Sequence, residues 1–381
     1  MKVASFAFTT PNLGDDLQVM ATVRRLPQVD RLVDRDFMSE HRYGEPYAVV
    51  MNSWFQLGRR SPTFPHLRRR RLDPSPDYKP IFHGFCVGSD KILSKGWADY
   101  LRAHKQVGCR DRESAEKLAS MGVDADWSGC LTLTLGMGLP PVPAGARRGV
   151  YIVDVPEAVE REFVPDELRQ VATRFSNEAP ADLVKDPLAR MHRMAAICDR
   201  LRHAELVITR RLHTALPCVG FGTPVRVLVE EKPNNTRRFS GFEDFVPVSF
   251  YGGARKPKAL HWGDRAPAEI PRNLREALAR LDARIAAEIA PPAPPAYPSV
   301  ALTSRIVLPN PGLGARPGRL AFDLGRTRVT REPAFWTDQK IFVDLQHFAG
   351  FDRFATPILA QAAESDEWVP VGRVDQALRE A

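Results

Sequence analysis

The chain has 381 residues, more than one ordinary domain needs, and its 44% hydrophobic and 26% charged residues are typical of a globular protein. The formal net charge of +8 favours an anionic substrate or surface. Nucleic acid is excluded as the expected partner, because the arginines are mixed with 46 acidic residues and no basic stripe is interleaved with aromatic residues.

Compositional features indicate a cytoplasmic protein. No run approaches the ~18 apolar residues of a membrane span, and the start "MKVASFAFTT" is more typical of a first strand than of a signal peptide. The five cysteines form no CxxC pair, which favours reduced thiols over a disulfide framework or a zinc site. The run "LRRRRLD" at 67–73 predicts a solvated loop, or alternatively a peripheral contact with an anionic glycan lipid at the inner membrane face.

Strands and helices alternate over the first 290 residues. Before residue 140 the strands are "KVASFAF", "YAVVMNSW", "KPIFHGFCVG", "KQVGCRD" and "DADWSGCLTLTL", with helices after Asp15 and at "RESAEKLASMG". The rhythm restarts with strands "RGVYIVDVP", "ELVITR" and "VRVLVE". Such alternation predicts an α/β fold of two Rossmann-like, doubly wound domains that face a cleft.

Proline-rich stretches at 140–149 and 291–298 predict linkers, which give domains at 1–140, 149–290 and 299–381. The helix at 271–290 carries an apolar stripe that we expect to pack on its own domain. The tail alternates without clear helices, which predicts a small β-sandwich or jelly-roll unit. Its segment "FAGFDRFATPILAQAAESDEWVPV" faintly resembles discoidin-like carbohydrate-binding sandwiches.

Three potential cations, Arg210, Arg211 and His213, stand where the strand "ELVIT" passes into a helix. A helix start offers unpaired amide donors and the positive end of the helix dipole, and an arginine grips a carboxylate or phosphate with two hydrogen bonds. Alternation places Arg211 and His213 on one side, with Arg210 pointing away. The alternative is a surface loop whose cations pair with acids such as Glu205.

Further candidates lie on three other loops. In "TTPNLGDDLQ" we expect Asn12 and Gly14 to allow a tight turn, with Gly14 able to take a positive φ. One of Asp15 and Asp16 then caps the helix, and the other is left to bind sugar hydroxyls or to act as an acid or base. Asp111 is predicted to cap the helix that follows it, and its neighbour Arg110 is predicted to be an anion ligand or an ion-pair partner. A loop with Asn234, Asn235 and Arg237 is predicted to overhang the cleft.

The chain contains an ordered set of motifs: "NLGDDLQ", "NSW" at 52–54, "VGCRDRESAEKLASMGV", "SGCLTLTL", "ITRRLHTALPCVGFGTPV" and "NNTRRFSGF". With these motifs it resembles the polysaccharide pyruvyl transferase family over about residues 3–250. The resemblance implies a fold similar to B-type glycosyltransferases. It also implies transfer of pyruvate from phosphoenolpyruvate onto two hydroxyls of a free or lipid-linked saccharide. Arg211, Leu212 and His213 match the donor-contacting residues, and Asn52 lies in a matching motif. Relatives often carry histidine where this chain has Cys86, three residues after His83.

The resulting hypothesis has His213 as candidate acid and Asp15 and Asp16 as candidate bases. Arg211 binds the donor, helped by Arg110 or Arg237. No Walker A loop, GxGxxG, GxSxG or HExxH motif is present, so neither a metal nor a cofactor is expected. The alternatives are a nucleotide-sugar glycosyltransferase and a non-catalytic glycan-binding protein that uses its β-rich tail.

Overall fold

The fold comes from a computed structural model that describes residues 1–8, 10–35, 38, 44–55, 74–88, 93, 95–180 and 187–289, and the tail strands between residues 299 and 375. The basic run at 67–73 and the proline-rich stretch at 291–298 lie outside the described residues. Within the described part, no helix is both long and apolar enough to cross a membrane. All five cysteines are free thiols.

The first region contains two sheets, and every strand pair in them is parallel. Their strand orders are β2-β1-β3-β5 and β4-β6-β7-β8. Two predicted strands, "YAVVMNSW" and "KPIFHGFCVG", are each divided by a short turn, so that β3 leads into β4 and β5 into β6. The bounds are β1 Lys2–Ala7, β2 Arg31–Asp34, β3 Tyr47–Val50, β4 Ser53–Phe55, β5 Tyr78–Ile81, β6 Phe85–Val87, β7 Val107–Cys109 and β8 Ala125–Trp127, with helices α1 Gly14–Val23, α2 Lys95–Arg102 and α3 Arg112–Ser120.

The second region contains one parallel sheet of order β10-β9-β11-β12-β13. Its strands are β9 Val150–Val153, β10 Thr173–Phe175, β11 Leu206–Thr209, β12 Val225–Glu230 and β13 Val248–Tyr251. Its helices are α4 Glu157–Phe163, α5 Asp166–Val171, α6 Pro187–His203, α7 Leu212–Gly220 and α8 Pro233–Phe239. The parallel pairing confirms the α/β class.

Two local expectations were wrong. Residues Leu131–Thr134 form a 3₁₀ helix, not the end of a strand. Asn234, Asn235 and Arg237 lie in helix α8, not in a loop, because Pro233 at its first turn supplies a helix-compatible φ.

Helix α9 (Arg272–Glu288) buries its apolar stripe as expected, but it packs on the first region instead of its own. Leu274 lies beside Gly129, Arg284 donates to the Pro80 carbonyl at 3.3 Å, and Arg280 forms a 2.7 Å ion pair with Asp126. Periodicity shows which face of a helix is apolar, but not which neighbouring surface covers that face.

The tail strands form two further sheets, with orders β14-β21-β20-β16-β17 and β15-β19-β18. Their pairs are antiparallel except β14 with β21. A jelly-roll arrangement and carbohydrate binding remain predictions. The strands are β14 Ser299–Val300, β15 Arg305–Pro309, β16 Arg319–Leu324, β17 Thr327–Arg331, β18 Phe335–Trp336, β19 Lys340–Asp344, β20 Ala355–Gln361 and β21 Val369–Asp375.

The end of α7 packs directly on the 131–134 helix and thereby fixes the two regions against each other. A Cβ on Gly220 would collide with the Leu133 carbonyl, and one on Gly136 would collide with the Gly220 carbonyl. Only residues without a side chain allow this backbone approach.

We therefore expect Gly220→Ala to destabilise the protein by about 1–3 kcal/mol, because the added methyl group must push two backbones apart. Urea unfolding followed by circular dichroism measures the change. Gly145→Ala is the matched control, since a Cβ there meets nothing within 4 Å. Equal stability of the two variants would contradict the close approach.

Candidate active site

The strand-to-helix junction after β11 turns one arginine outward and the next residues inward. Arg210 is exposed, whereas the Arg211 side chain is 20% exposed and His213 is buried. The Arg211 amide donates to Thr209 Oγ1 at 3.0 Å, which fixes the turn. No side chain among the described residues caps the start of α7.

Two carboxylates hold the Arg211 guanidinium. Its Nε donates to Asp154 Oδ2 at 3.0 Å, and its Nη2 donates to Glu178 Oε1 at 2.5 Å. Glu205 instead lies 3.6 Å from Arg265. Arg211 therefore does pair with acids, as the alternative expected, but these are Asp154 and Glu178 after β9 and β10 and not Glu205.

Asp154 has an unusual backbone that aims its carboxylate at several donors. Its φ is +56°, a left-handed conformation that aspartate tolerates better than most residues. It accepts hydrogen bonds from Ser176 Oγ at 2.6 Å and from the Asn177 amide at 3.0 Å. Asp154 therefore links Arg211 to the segment 176–179.

The same segment pairs with the loop before α1. Leu13 donates from its amide to the Asn177 carbonyl at 2.9 Å, and Ala179 to the Pro11 carbonyl at 2.6 Å. Asn12 and Glu178 form a β-bridge between these two bonds. The first and second regions are thus joined by backbone hydrogen bonds directly beside Arg211.

Gly14 is required for a different reason than expected. It is the first residue of α1, and its φ is not positive. A Cβ on Gly14 would lie 2.9 Å from the His213 Cβ and 3.2 Å from His213 Nδ1. The expectation of a positive φ was wrong; the glycine gives room for the histidine.

Asp15 and Asp16 lie inside the first turn of α1, so the expectation that one of them caps the helix was also wrong. Asp15 accepts from Thr10 Oγ1 at 2.8 Å and from Asn12 Nδ2 at 3.2 Å. Asp16 accepts two hydrogen bonds from Arg190, at 3.1 and 2.6 Å. Burial raises the pKa of Asp16 to about 6, although the charge of Arg190 opposes the shift.

His213 is buried, and neither of its ring nitrogens has a hydrogen-bond partner among the described residues. Burial, together with the charges of Arg110 and Arg238, lowers its pKa well below the usual 6.5. The imidazole is therefore neutral at pH 7. A buried polar group without a partner is costly, so this ring calls for a specific explanation.

Arg110 is the second incompletely bonded group. It is fully buried, its Nη2 donates to Cys86 Sγ at 2.8 Å, and its Nε and Nη1 have no partner within the described part of the chain. Burial disfavours the charge, but Cys86 and the Asp111 carboxylate, 3.6 Å away, leave its pKa raised. Asp111 also caps α3 as predicted, accepting from the Ser114 amide at 2.9 Å.

Arg238 completes the cationic group. Its guanidinium lies 4.8 Å from the centre of the Trp54 ring, in a cation–π contact. Burial and the charge of Arg110 lower its pKa to about 10, while Asp15 opposes that shift. The Asp15 carboxylate, the Arg110 and Arg238 guanidiniums and the His213 ring therefore lie near enough for their charges to affect these pKa values.

The remaining predicted residues have structural partners of their own. Leu212 is buried, and Asn52 is buried beneath α1, donating to the Gln18 carbonyl and Thr22 Oγ1. Asn235 donates to the Glu230 carbonyl at 2.9 Å. Arg237 donates to the Gly88 carbonyl at 2.7 Å, which connects α8 to the end of β6.

His83 lies in different surroundings from Cys86, which accepts from Arg110. It lines a cavity under α9 together with Ser128 and Arg280, and burial lowers its pKa to about 3. Among the described residues, no three His, Cys, Asp or Glu side chains form a group suited to a metal ion.

The sequence analysis did not predict four residues of the site: Asp154, Glu178, Arg190 and Arg238. Arg238 adjoins Arg237 in "NNTRRF", so a helical reading of that motif identifies it. Asp154, Glu178 and Arg190 lie outside the motifs and become neighbours of the site only through the tertiary joint.

We expect His213→Gln to flatten the pH dependence of stability. The folded protein holds His213 neutral while the unfolded chain protonates it near pH 6.5, so stability falls below that pH by up to about 1.4 kcal/mol per pH unit. Urea unfolding at pH 7 and pH 5 measures the slope. His83→Gln should remove a separate, similar contribution, and an unchanged slope in His213→Gln would contradict the burial argument.

Three comparisons with known proteins were made. A solved structure from Klebsiella pneumoniae, described as a functional uncharacterized protein, is 13% identical, covers 66% of this chain and 93% of its own, and has a TM-score of 0.36. No curated protein matches the chain. The family model of the polysaccharide pyruvyl transferases matches residues 12–231, more than half of the 381 residues. The chain therefore belongs to the polysaccharide pyruvyl transferase family.

Proposed function

We propose that the chain transfers pyruvate from phosphoenolpyruvate to a saccharide, forming a ketal across two hydroxyls. In the balanced reaction the donor methylene gains a proton and becomes a methyl group. Two hydroxyl oxygens bond to the central carbon, and phosphate leaves with the second hydroxyl proton. The observation that supports this most is the pair of buried, incompletely bonded groups, Arg110 and His213, beside Arg211.

The charges of the site suit a compact, multiply negative donor. Phosphoenolpyruvate carries a carboxylate and a phosphate, and Arg110 offers Nε and Nη1 that have no partner within the described residues. Arg211 and the uncapped start of α7 add donors from the second region. Arginine binds such groups with paired hydrogen bonds, so each end of the donor has its own guanidinium.

His213 is proposed to deliver the proton to the methylene carbon. Its pKa is lowered in the empty site by burial and by Arg110 and Arg238, so it is neutral before the donor arrives. A multiply negative donor offsets those two positive charges and raises the pKa toward the range of a general acid. Binding of the donor would thus make His213 able to act as the acid.

Asp15 is the proposed base for the saccharide hydroxyls, because its partners are the neutral side chains of Thr10 and Asn12. Both oxygens of Asp16 are occupied by Arg190, so Asp16 first has to leave that pair to accept a proton. We assign Asp16 to holding the loop and keep it as the second candidate base.

The domain organisation is part of the proposal. Two doubly wound domains, 1–140 and 149–290, would face one another as in B-type glycosyltransferases, with the donor site at the start of α7. The parallel sheets of both regions support this arrangement. The tail at 299–381 would bind the saccharide. A cytoplasmic enzyme at the inner membrane face would meet lipid-linked acceptors of exopolysaccharide synthesis there.

We expect Arg211→Ala and His213→Ala to lower ketal formation by about 100-fold or more while the protein stays folded. The assay is phosphate release from phosphoenolpyruvate with a panel of free and lipid-linked saccharides. Arg272→Ala is the charge control, because this arginine is 86% exposed on α9. Full activity in both site variants would refute the assignment. Saturable binding of a nucleoside diphosphate would favour a glycosyltransferase, and saccharide binding by the tail without turnover would favour a glycan-binding protein.

Gly14→Ala tests the geometry of His213 separately from its chemistry. The new methyl group would lie 2.9 Å from the His213 Cβ, so the ring must shift, and we expect activity to fall about tenfold or more. Gly96→Ala, inside α2 with open space around its Cβ, is the control. Overpacking of this kind costs about 1–3 kcal/mol, so urea unfolding of both variants separates a loss of activity from a loss of stability. Wild-type activity in Gly14→Ala would contradict the close packing.

A further inference from the structure

We propose that Glu178 is an internal competitor for the donor: its carboxylate occupies Arg211 in the empty site and is displaced when an anion binds. This inference rests on the proposed function, since it concerns the same arginine. It follows from the unequal way in which two carboxylates hold one guanidinium.

The charge balance around Arg211 requires one carboxylate to leave. Asp154 and Glu178 together bring two negative charges to one positive charge, at 3.0 and 2.5 Å. A multiply negative donor that approaches Arg211 itself meets two carboxylates beside one guanidinium, whose Nη2 is already bonded. Like charges at such distances disfavour binding, so displacement of one partner frees both the charge and the donor group.

Burial decides which carboxylate leaves. The Asp154 side chain is 8% exposed and accepts two further hydrogen bonds, from Ser176 Oγ and the Asn177 amide. The Glu178 side chain is 56% exposed, and Arg211 Nη2 is its one side-chain partner within the described residues. An exposed ion pair contributes about 0–1 kcal/mol, so water replaces Arg211 around Glu178 at small cost.

The backbone of Glu178 can remain in place while its side chain moves. The Asn12–Glu178 bridge and the Ala179-to-Pro11 hydrogen bond of 2.6 Å hold the main chain of the segment against the loop before α1. A rotation of the side chain therefore exposes Arg211 Nη2 without opening the joint between the two regions. Asp154 keeps the guanidinium oriented throughout, which makes it a positioning residue.

The test compares anion affinity in full-length variants. Isothermal titration with phosphoenolpyruvate, and separately with inorganic phosphate, should give Glu178→Gln an affinity about threefold to tenfold higher than wild type. The gain should shrink as salt rises, because screening weakens the competing charge. In turnover, KM for the donor should fall while kcat stays unchanged. Asp154→Asn should act in the opposite direction and weaken binding, since Arg211 loses its fixed partner.

Glu276→Gln is the matched control, because Glu276 is 53% exposed and pairs with Arg272 at 2.7 Å on α9; it should leave both affinities unchanged. Equal or weaker binding in Glu178→Gln, with the donor still bound by wild type, would overturn the inference alone. Failure of both probes to bind to wild type and to Glu178→Gln would overturn the proposed donor and the inference with it.

Discussion

The joint between the loop before α1 and the segment that follows β10 determines the rest of the site. The buried Asp16–Arg190 ion pair and two backbone hydrogen bonds hold it together. Such a pair adds little net stability, but loss of one partner leaves an uncompensated buried charge, which makes the joint specific. The start of α1, directly after this loop, carries Gly14 and Asp15, and the segment carries Glu178. The joint therefore brings groups from both regions to Arg211 and His213.

The site gathers unfavourable features that a structural core avoids. The charge of Arg110 lowers the pKa of Arg238, and His213 beside them has no ring-nitrogen partner among the described residues. Under the proposed function, a bound anion would offset the positive charges and give partners to the unbonded donors. Stabilising interactions elsewhere, such as the α9 stripe and the packing of α7 on the 131–134 helix, offset this local instability.

The sequence predicted local elements well and tertiary partners poorly. β12 matches "VRVLVE" residue for residue, and the junction at Arg211 and His213 followed from a strand, a loop and a helix start. Patterns of this kind are local, whereas the surface that receives α9 and the partners of Arg211 depend on chain segments far apart. Gly14 is an example: the sequence motif indicated that this glycine is important, but only its close contact with His213 shows why a glycine is needed there.

Arg110 has a neutral hydrogen-bond partner, the Cys86 thiol. Burial raises the pKa of the Cys86 thiol, so at neutral pH it accepts from Arg110 without contributing a negative charge. Arg110 also has a carboxylate partner, Asp111, at 3.6 Å, but its Nε and Nη1 have no partner within the described residues. Arg211 differs because two carboxylates, Asp154 and Glu178, bond directly to its guanidinium. Under the proposed function, Arg110 would therefore offer unbonded donor groups to an anion at once, whereas Arg211 would offer its Nη2 only after Glu178 has moved.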